Sequence, residues 1–248
     1  MDRLNRSTRA GFTCALALLV LGASAAEFKA NLRARVLPDL FTHLSNGDRN
    51  VEEGNPQAAL ACADVVLLKG VVKFHVAFDG IDPRRQAACS AAVTAGIAAW
   101  VAGLDSDTRF ELVDKAEDAD VRVTYVRRLE IDGRAVGGRT QWRRAVKSLG
   151  DGACSAVVTA TVHLVADCPD GRAMSASQMR QASCHEFGHI LGLQDSPRQG
   201  DVMGPLELGK PVAVPSLEEV EALIEIRDEA RQLRGKALAL VERKSAAQ

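Results

Sequence analysis

Two histidines four residues apart, His185 and His189, carry most of the chemistry legible in this sequence. On a helix, that spacing puts both imidazoles on one face, close enough together to hold one zinc ion. Glu186, one residue after the first histidine, points roughly a quarter-turn away. It can stand beside the metal without ligating it, where the general base for a zinc-activated water belongs. Gly192 supplies a residue tolerant of positive φ, at which a helix can stop. The chain beyond it can turn back and offer Asp195 as a third, oxygen ligand. Two nitrogens, one carboxylate oxygen and an open position are the donor set of a catalytic rather than a structural zinc site. The chemistry implied is metal-assisted hydrolysis. The plainer alternative is an amphipathic helix whose two histidines are satisfied by hydrogen bonds.

The surrounding residues supply elements to position this stretch. Ser175 and Gln178 read as a capping box opening the histidine-bearing helix, and Met179, Phe187, Ile190 and Leu191 give it an apolar side. Upstream, Asp64 to Phe78 reads as a β-branched and aromatic strand. Asp82 and Pro83 open a helix that runs through Val93, Ile97 and Trp100 to Gly103. Phe110–Val113, Val121–Val126 and Ala156–Val165 alternate as strands, with His163 of the last on a sheet face rather than at a metal. Residues 127–153 carry seven basic side chains and read as a glycine-punctuated, solvated loop. Residues 27–64 read as polar and irregular after a short helix, with turn signals near Gly47 and Gly54. Ser216 and Glu219 form a second capping box for a last helix packing through Val220, Leu223, Ile224 and Ile226; from about Gln232 that helix is charged and expected to extend into solvent.

The run His185-Glu186-x-x-His189-x-x-Gly192-x-x-Asp195, followed by Asp201-Val202-Met203-Gly204, resembles the metzincin zinc peptidases, most of all their matrixin type. It departs from the commonest pattern in having Asp rather than His as third ligand, as snapalysin-type enzymes do. The resemblance implies an α/β (α+β) zincin domain with a twisted mixed sheet, two long helices and a C-terminal helix after a Met-turn. Met203 would then lie beneath the zinc as a hydrophobic floor, not as a ligand. The resemblance also implies that the strand near 156–165 lies along the cleft and pairs with an extended protein or peptide substrate. The Pro205–Pro215 loop would wall the specificity pocket. The function expected is a zinc-dependent endopeptidase with Glu186 as base. Two alternatives stay open: a catalytically silent zinc-binding scaffold, and a zinc amidase acting on a non-peptide amide. If Asp195 is not the third ligand, Asp201 is the next carboxylate along the chain. Whether calcium adds to stability is not legible.

At 248 residues and 47% hydrophobic content the chain can form one sizeable core. Residues 1–26, with Arg3, Arg6 and Arg9 before an apolar run and a small-residue exit, read as a signal peptide, so export to the periplasm or outside the cell is expected. The division expected is signal peptide 1–26, extension or pro-segment 27–64, catalytic domain 65–231 and charged helical tail 232–248. Losing the signal peptide removes three arginines and one aspartate, taking the net charge from −1 to −3. Such a surface gives no reason to expect nucleic acid as a partner, nothing later is long and apolar enough to span a membrane, and a monomer is expected. The usual matrixin latency signature, a cysteine between Pro-Arg and Gly-x-Pro, is absent; Cys62 can be imagined capping the zinc, but a disulfide is the stronger expectation. Cys154 and Cys168 bracket a strand and are the first bridge expected. Cys89 and Cys184 are then open to each other or to Cys62, with one thiol left over.

Overall fold

The computed structural model describes residues 26–104 and 107–246. The expected signal peptide lies outside these but for its last residue. Seven strands and six helices follow in the order α1 (26–33), α2 (Pro38–Glu52), α3 (Pro56–Leu67), β1 (Gly70–Phe78), α4 (Pro83–Val101), β2 (Thr108–Leu112), β3 (Val121–Val126), β4 (Glu130–Ile131), β5 (Arg134–Ala135), β6 (Gly138–Gly150), β7 (Ala153–Val165), α5 (Ala176–Leu191) and α6 (Leu217–Ala246). Five strands form a mixed sheet in the order β2-β1-β3-β7-β6, parallel throughout except for the antiparallel β6–β7 pair. This is the mixed α/β architecture the sequence leads one to expect.

The sheet and α5 meet through aromatic and β-branched residues at alternate positions. Val72 and Phe74 of β1, Val121, Val123 and Tyr125 of β3, and Val162 and Leu164 of β7 are all buried. Phe187 of α5 meets Phe74 and Phe110 edge-on, with ring centroids 6.3 and 5.7 Å apart. Asp82 caps α4 through Arg84 N–H, as expected. From α4, Trp100 donates its indole N–H to Cys184 O at 2.7 Å, fixing α4 against the histidine-bearing helix.

Several segments depart from expectation. Residues 27–64 are not irregular. They form three helices whose Leu32, Leu40 and Leu44 are buried in the core. Val65 to Leu68 closes α3 rather than opening a strand, and Leu68 ends that helix in the left-handed region at φ 48°. A short apolar run is compatible with either a buried helix or a buried strand, and here the core surrounds it on all sides. Beyond Gln232, α6 stays packed as far as Ala237: Leu233 and Ala237 are buried, Leu233 against Gly47 of α2, and the last residues, 242–246, are exposed as expected. Arg227 of α6, 1% exposed, donates to Leu67 O and Thr108 Oγ1 at 2.7 and 2.9 Å, joining the end of α3 to the start of β2.

The basic stretch 127–153 is mostly strand. In β6 the exposed Arg139, Gln141 and Arg143 alternate with the half-buried Thr140, Trp142 and Arg144. A two-residue Asp151-Gly152 turn with φ of 50° and 76° returns the chain into β7, the conformation such a hairpin prefers. β7 is consequently interior, paired on both sides, and β6 is the edge strand.

Cys62, Cys89, Cys154, Cys168 and Cys184 are all free, so the expected disulfides are not formed. Cys154 sits at one end of β7 and Cys168 beyond the other. Extended chain at ~3.3 Å per residue keeps them more than about 30 Å apart, whereas a bridge needs Cα atoms within about 7 Å. Cys62 is buried on α3 beside Gly47 of α2, away from the histidines. Burial pushes the Cys184 thiol up to about 12, so it behaves as a small core side chain.

Candidate metal centre

The histidine-bearing helix begins and ends as its sequence dictates. Ser175 Oγ accepts from Gln178 N–H at 3.3 Å, and Gln178 Oε1 accepts from Ser175 N–H at 2.7 Å. At the other end, Gly192 adopts φ 116° and donates to Gly188 O and His189 O. The helix stops there because a side chain is strained in that conformation.

His185 and His189 stand one turn apart with ring centroids 5.0 Å from each other. Each Nδ1 lies 2.9 Å from a backbone carbonyl, Val202 O for His185 and Leu193 O for His189. A carbonyl only accepts, so each Nδ1 carries the proton and each Nε2 lone pair is left to ligate. Both Nε2 atoms face Asp195 Oδ1, at 3.2 and 3.4 Å. For ligands about 2.0–2.1 Å from a tetrahedral ion, neighbouring donors stand about 3.3–3.4 Å apart. The donor chemistry and spacing therefore fit zinc. Among the described residues, these three are the grouping of at least three His, Cys, Asp or Glu side chains whose donor atoms lie within 4.8 Å of one another.

Electrostatics follow from the same contacts. When the two imidazoles are also protonated at Nε2, their hydrogen bonds hold the Asp195 carboxyl well below the usual carboxylate range. Burial alone would lower His185, but Asp195, Glu186 and Val202 outweigh it and raise its pKa. Burial raises Glu186, partly offset by His185 and Thr140.

Glu186 is 4% exposed and accepts from Thr140 Oγ1 at 2.6 Å through Oε2. With His185, His189, Asp195, Leu206 and Leu208 it lines a cavity of about 760 Å³. Pro205, Leu206 and Leu208 put the loop after Met203 on the cavity wall, where it was expected. Met203 is buried beneath the helix, and a side chain at Gly188, between the two histidines, would run into its sulfur. Asp201 is elsewhere. Its carboxylate takes Arg35 and Ser196 Oγ, each at 2.7 Å, so it is already engaged and stands outside the donor trio.

Three supports escape a reading of the sequence. Glu219, legible only as a capping-box residue, also accepts from Met203 N–H at 2.8 Å and Val202 N–H at 3.3 Å, holding the turn whose Val202 carbonyl orients His185. Trp142 stacks on His189, 5.8 Å between centroids and 19° between planes. Arg144 donates to His189 O and Ile190 O at 2.9 and 2.8 Å, closing the end of α5, and pairs with Asp39 of α2. The β6 alternation was the available signal for the last two. Nothing local marks Arg35 or Asp39.

Fold and site together define the class: a mixed α/β zincin domain with a metzincin-like His-His-Asp centre. The matrixin family model matches residues 71–213, more than half of the chain, and the chain belongs to that family of zinc metallopeptidases. A search of curated proteins finds no match. Among the described residues, no helix is long and apolar enough to cross a membrane.

Proposed function

We propose that this matrixin is an exported endopeptidase in which His185, His189 and Asp195 hold zinc and Glu186 is the general base. One observation carries the reading: two Nε2 lone pairs and one carboxylate oxygen converge at tetrahedral spacing beside a buried carboxylate, and all of them line one cavity. A zinc ion there supplies a Lewis acid that polarises the scissile carbonyl and acidifies the attacking water. Thr140 occupies Glu186 Oε2, which leaves Oε1 to take the proton from the water. The water oxygen bonds to the carbonyl carbon, the C–N bond breaks, and Glu186 returns the proton to the leaving amine. Asp195 brings a negative charge where a third imidazole would be neutral, which favours metal retention over Lewis acidity.

The substrate runs along β6 rather than β7. Both edges of β7 are paired, whereas β6 has a free edge, and Gly138, Arg139 and Thr140 line the cavity. An extended peptide adds there as one more strand. A substrate panel tests the reaction class: denatured proteins beside a cell-wall amide, each with and without a zinc chelator. Chelator-sensitive cleavage of proteins supports the proposal. Hydrolysis of the cell-wall amide alone would replace it with an amidase.

A further inference from the structure

Asp195 is the most exposed member of the trio, its side chain 79% accessible, and among the described residues its side-chain partners are the two histidines. Its position is therefore set by its neighbours in the chain. On one side, Gln194 N–H donates to Arg35 O at 2.9 Å, and Val36 forms an antiparallel bridge with Leu193. Leu37 N–H donates to Gly192 O at 2.7 Å, and Gln194 Nε2 reaches Ala34 O. On the other side, Ser196 Oγ donates to Asp201, which the Arg35 guanidinium holds at 2.7 Å. The same guanidinium reaches Glu218 at 2.6 Å, at the start of α6. Arg35 thus pins both flanks of Asp195, one through its carbonyl and one through its side chain. A few residues on, Asp39 takes Trp142 Nε1 at 3.1 Å and Arg144 at 2.7 Å, the pair that stacks on His189 and closes α5.

These contacts come from a segment that sits where secreted proteases often carry an inhibitory one. Inhibition by occupation would place it in the cleft. The described residues that line the cavity begin, in chain order, at Arg128, so neither α1 nor α2 contributes to its wall. Resting on the zinc reading given above, we infer that residues 34–52 are a permanent part of the metal centre rather than a removable inhibitor, and that Arg35 is the positioning residue that keeps Asp195 in ligating place.

The test compares full chains carrying Arg35→Met, Arg35→Lys and Ser196→Ala with wild type. Zinc dissociation constants are read by competition with a chromophoric chelator, and the ligand field from the visible bands of the cobalt-loaded protein. Circular dichroism reports folding. Supports of this kind are worth about 10–100-fold in metal affinity. Arg35→Met should weaken zinc by that amount and alter the cobalt bands. Arg35→Lys should recover part of the loss through the remaining ion pair with Asp201. Ser196→Ala, which removes one hydrogen bond and leaves the Arg35 ion pairs in place, should weaken zinc about two- to tenfold, the worth of one ordinary hydrogen bond. A protease site placed at Gly54 then allows the chain to be cut between α2 and α3. Because Leu32, Leu40 and Leu44 are buried in the core, the cut segment should stay bound through gel filtration and leave turnover no higher than before. Unchanged affinity in all three variants, or a rise in turnover after the cut with zinc retained, would overturn the inference. Metal affinity needs no turnover. A wild type that binds zinc through this network but cleaves nothing would sink the peptidase reading alone.

Discussion

Gly138 is the point at which the edge strand passes the proposed base, and a single methyl group there probes Glu186 without touching a metal ligand. A Cβ at Gly138 would lie 2.5 Å from Glu186 Oε1, 2.8 Å from its Cγ and 2.9 Å from its Cδ. Ordinary contact begins at 3.4 Å, so Oε1 has to retreat by about 0.9 Å. The carboxylate cannot simply swing aside, because three of its side-chain atoms are crowded at once and Thr140 holds Oε2 at 2.6 Å. Nor does backbone strain confuse the result, since Gly138 is not among the glycines with positive φ. A displacement near 1 Å at a catalytic group costs on the order of 10²-fold in rate, or about 2.7 kcal/mol of transition-state stabilisation. Gly138→Ala should therefore lower kcat/KM about a hundredfold on a quenched fluorescent peptide. Zinc content, measured on the same sample, should stay at one per chain. Full activity with zinc bound would mean that Glu186 is not the proton acceptor in this geometry. Loss of zinc would mean that Glu186 contributes to metal retention.

The other predictions concern metal, stability and redox state. Asp195→Ala should weaken zinc binding, read by chelator competition, and should not be rescued by Asp201, which is tied to Arg35 and Ser196. Arg144→Ala should cost about 2–3 kcal/mol in urea unfolding, because two carbonyls at the end of α5 lose their donor; the figure stays below that of a fully buried pair because Asp39 still reaches water. Asp167 lies 4% exposed between Arg85 and Arg127 at 2.7 and 3.1 Å; burial would raise its pKa, but the two arginines prevail and lower it. The stability it lends is present above the unfolded pKa of about 3.9 and is lost as pH falls through its lower folded value. Asp167→Asn should therefore melt below wild type at pH 7, and the gap should close as the pH drops below about 4. With Cys62, Cys89, Cys154, Cys168 and Cys184 all free, a phosphine reductant, which unlike a dithiol does not strip zinc, should leave both the melting temperature and activity unchanged.

What the sequence disclosed was local. The two histidines, the glycine that ends their helix and the capping boxes at Ser175 and Ser216 are defined by spacings of three or four residues, and the helix realises them directly. Val65 to Leu68 went astray because four apolar residues between Asp64 and Lys69 are too short a run to show a period. The edge strand β6 did have one, Thr140-Trp142-Arg144 against Arg139-Gln141-Arg143, but two of its inward residues are polar because they bond to α5, Thr140 at Glu186 and Arg144 at the helix end. Arg35 and Asp39 had no signature at all. Their partners Asp201 and Arg144 are 166 and 105 residues away, a distance no spacing rule spans. The disulfide expectation was a count of cysteines, and the length of an extended strand overrules a count.

The central claim is that a metal held by His185, His189 and Asp195 works with Glu186 to cut peptide bonds. The most direct measurement is hydrolysis of a denatured protein by residues 27–248, wild type beside Glu186→Ala, with and without chelator and with zinc assayed in every sample. The account predicts that wild type cleaves, that the chelator abolishes cleavage, and that Glu186→Ala keeps its zinc while losing at least 10²-fold in rate. A zinc-loaded wild type that leaves the protein intact, or a Glu186→Ala variant that cleaves as fast as wild type, would contradict it.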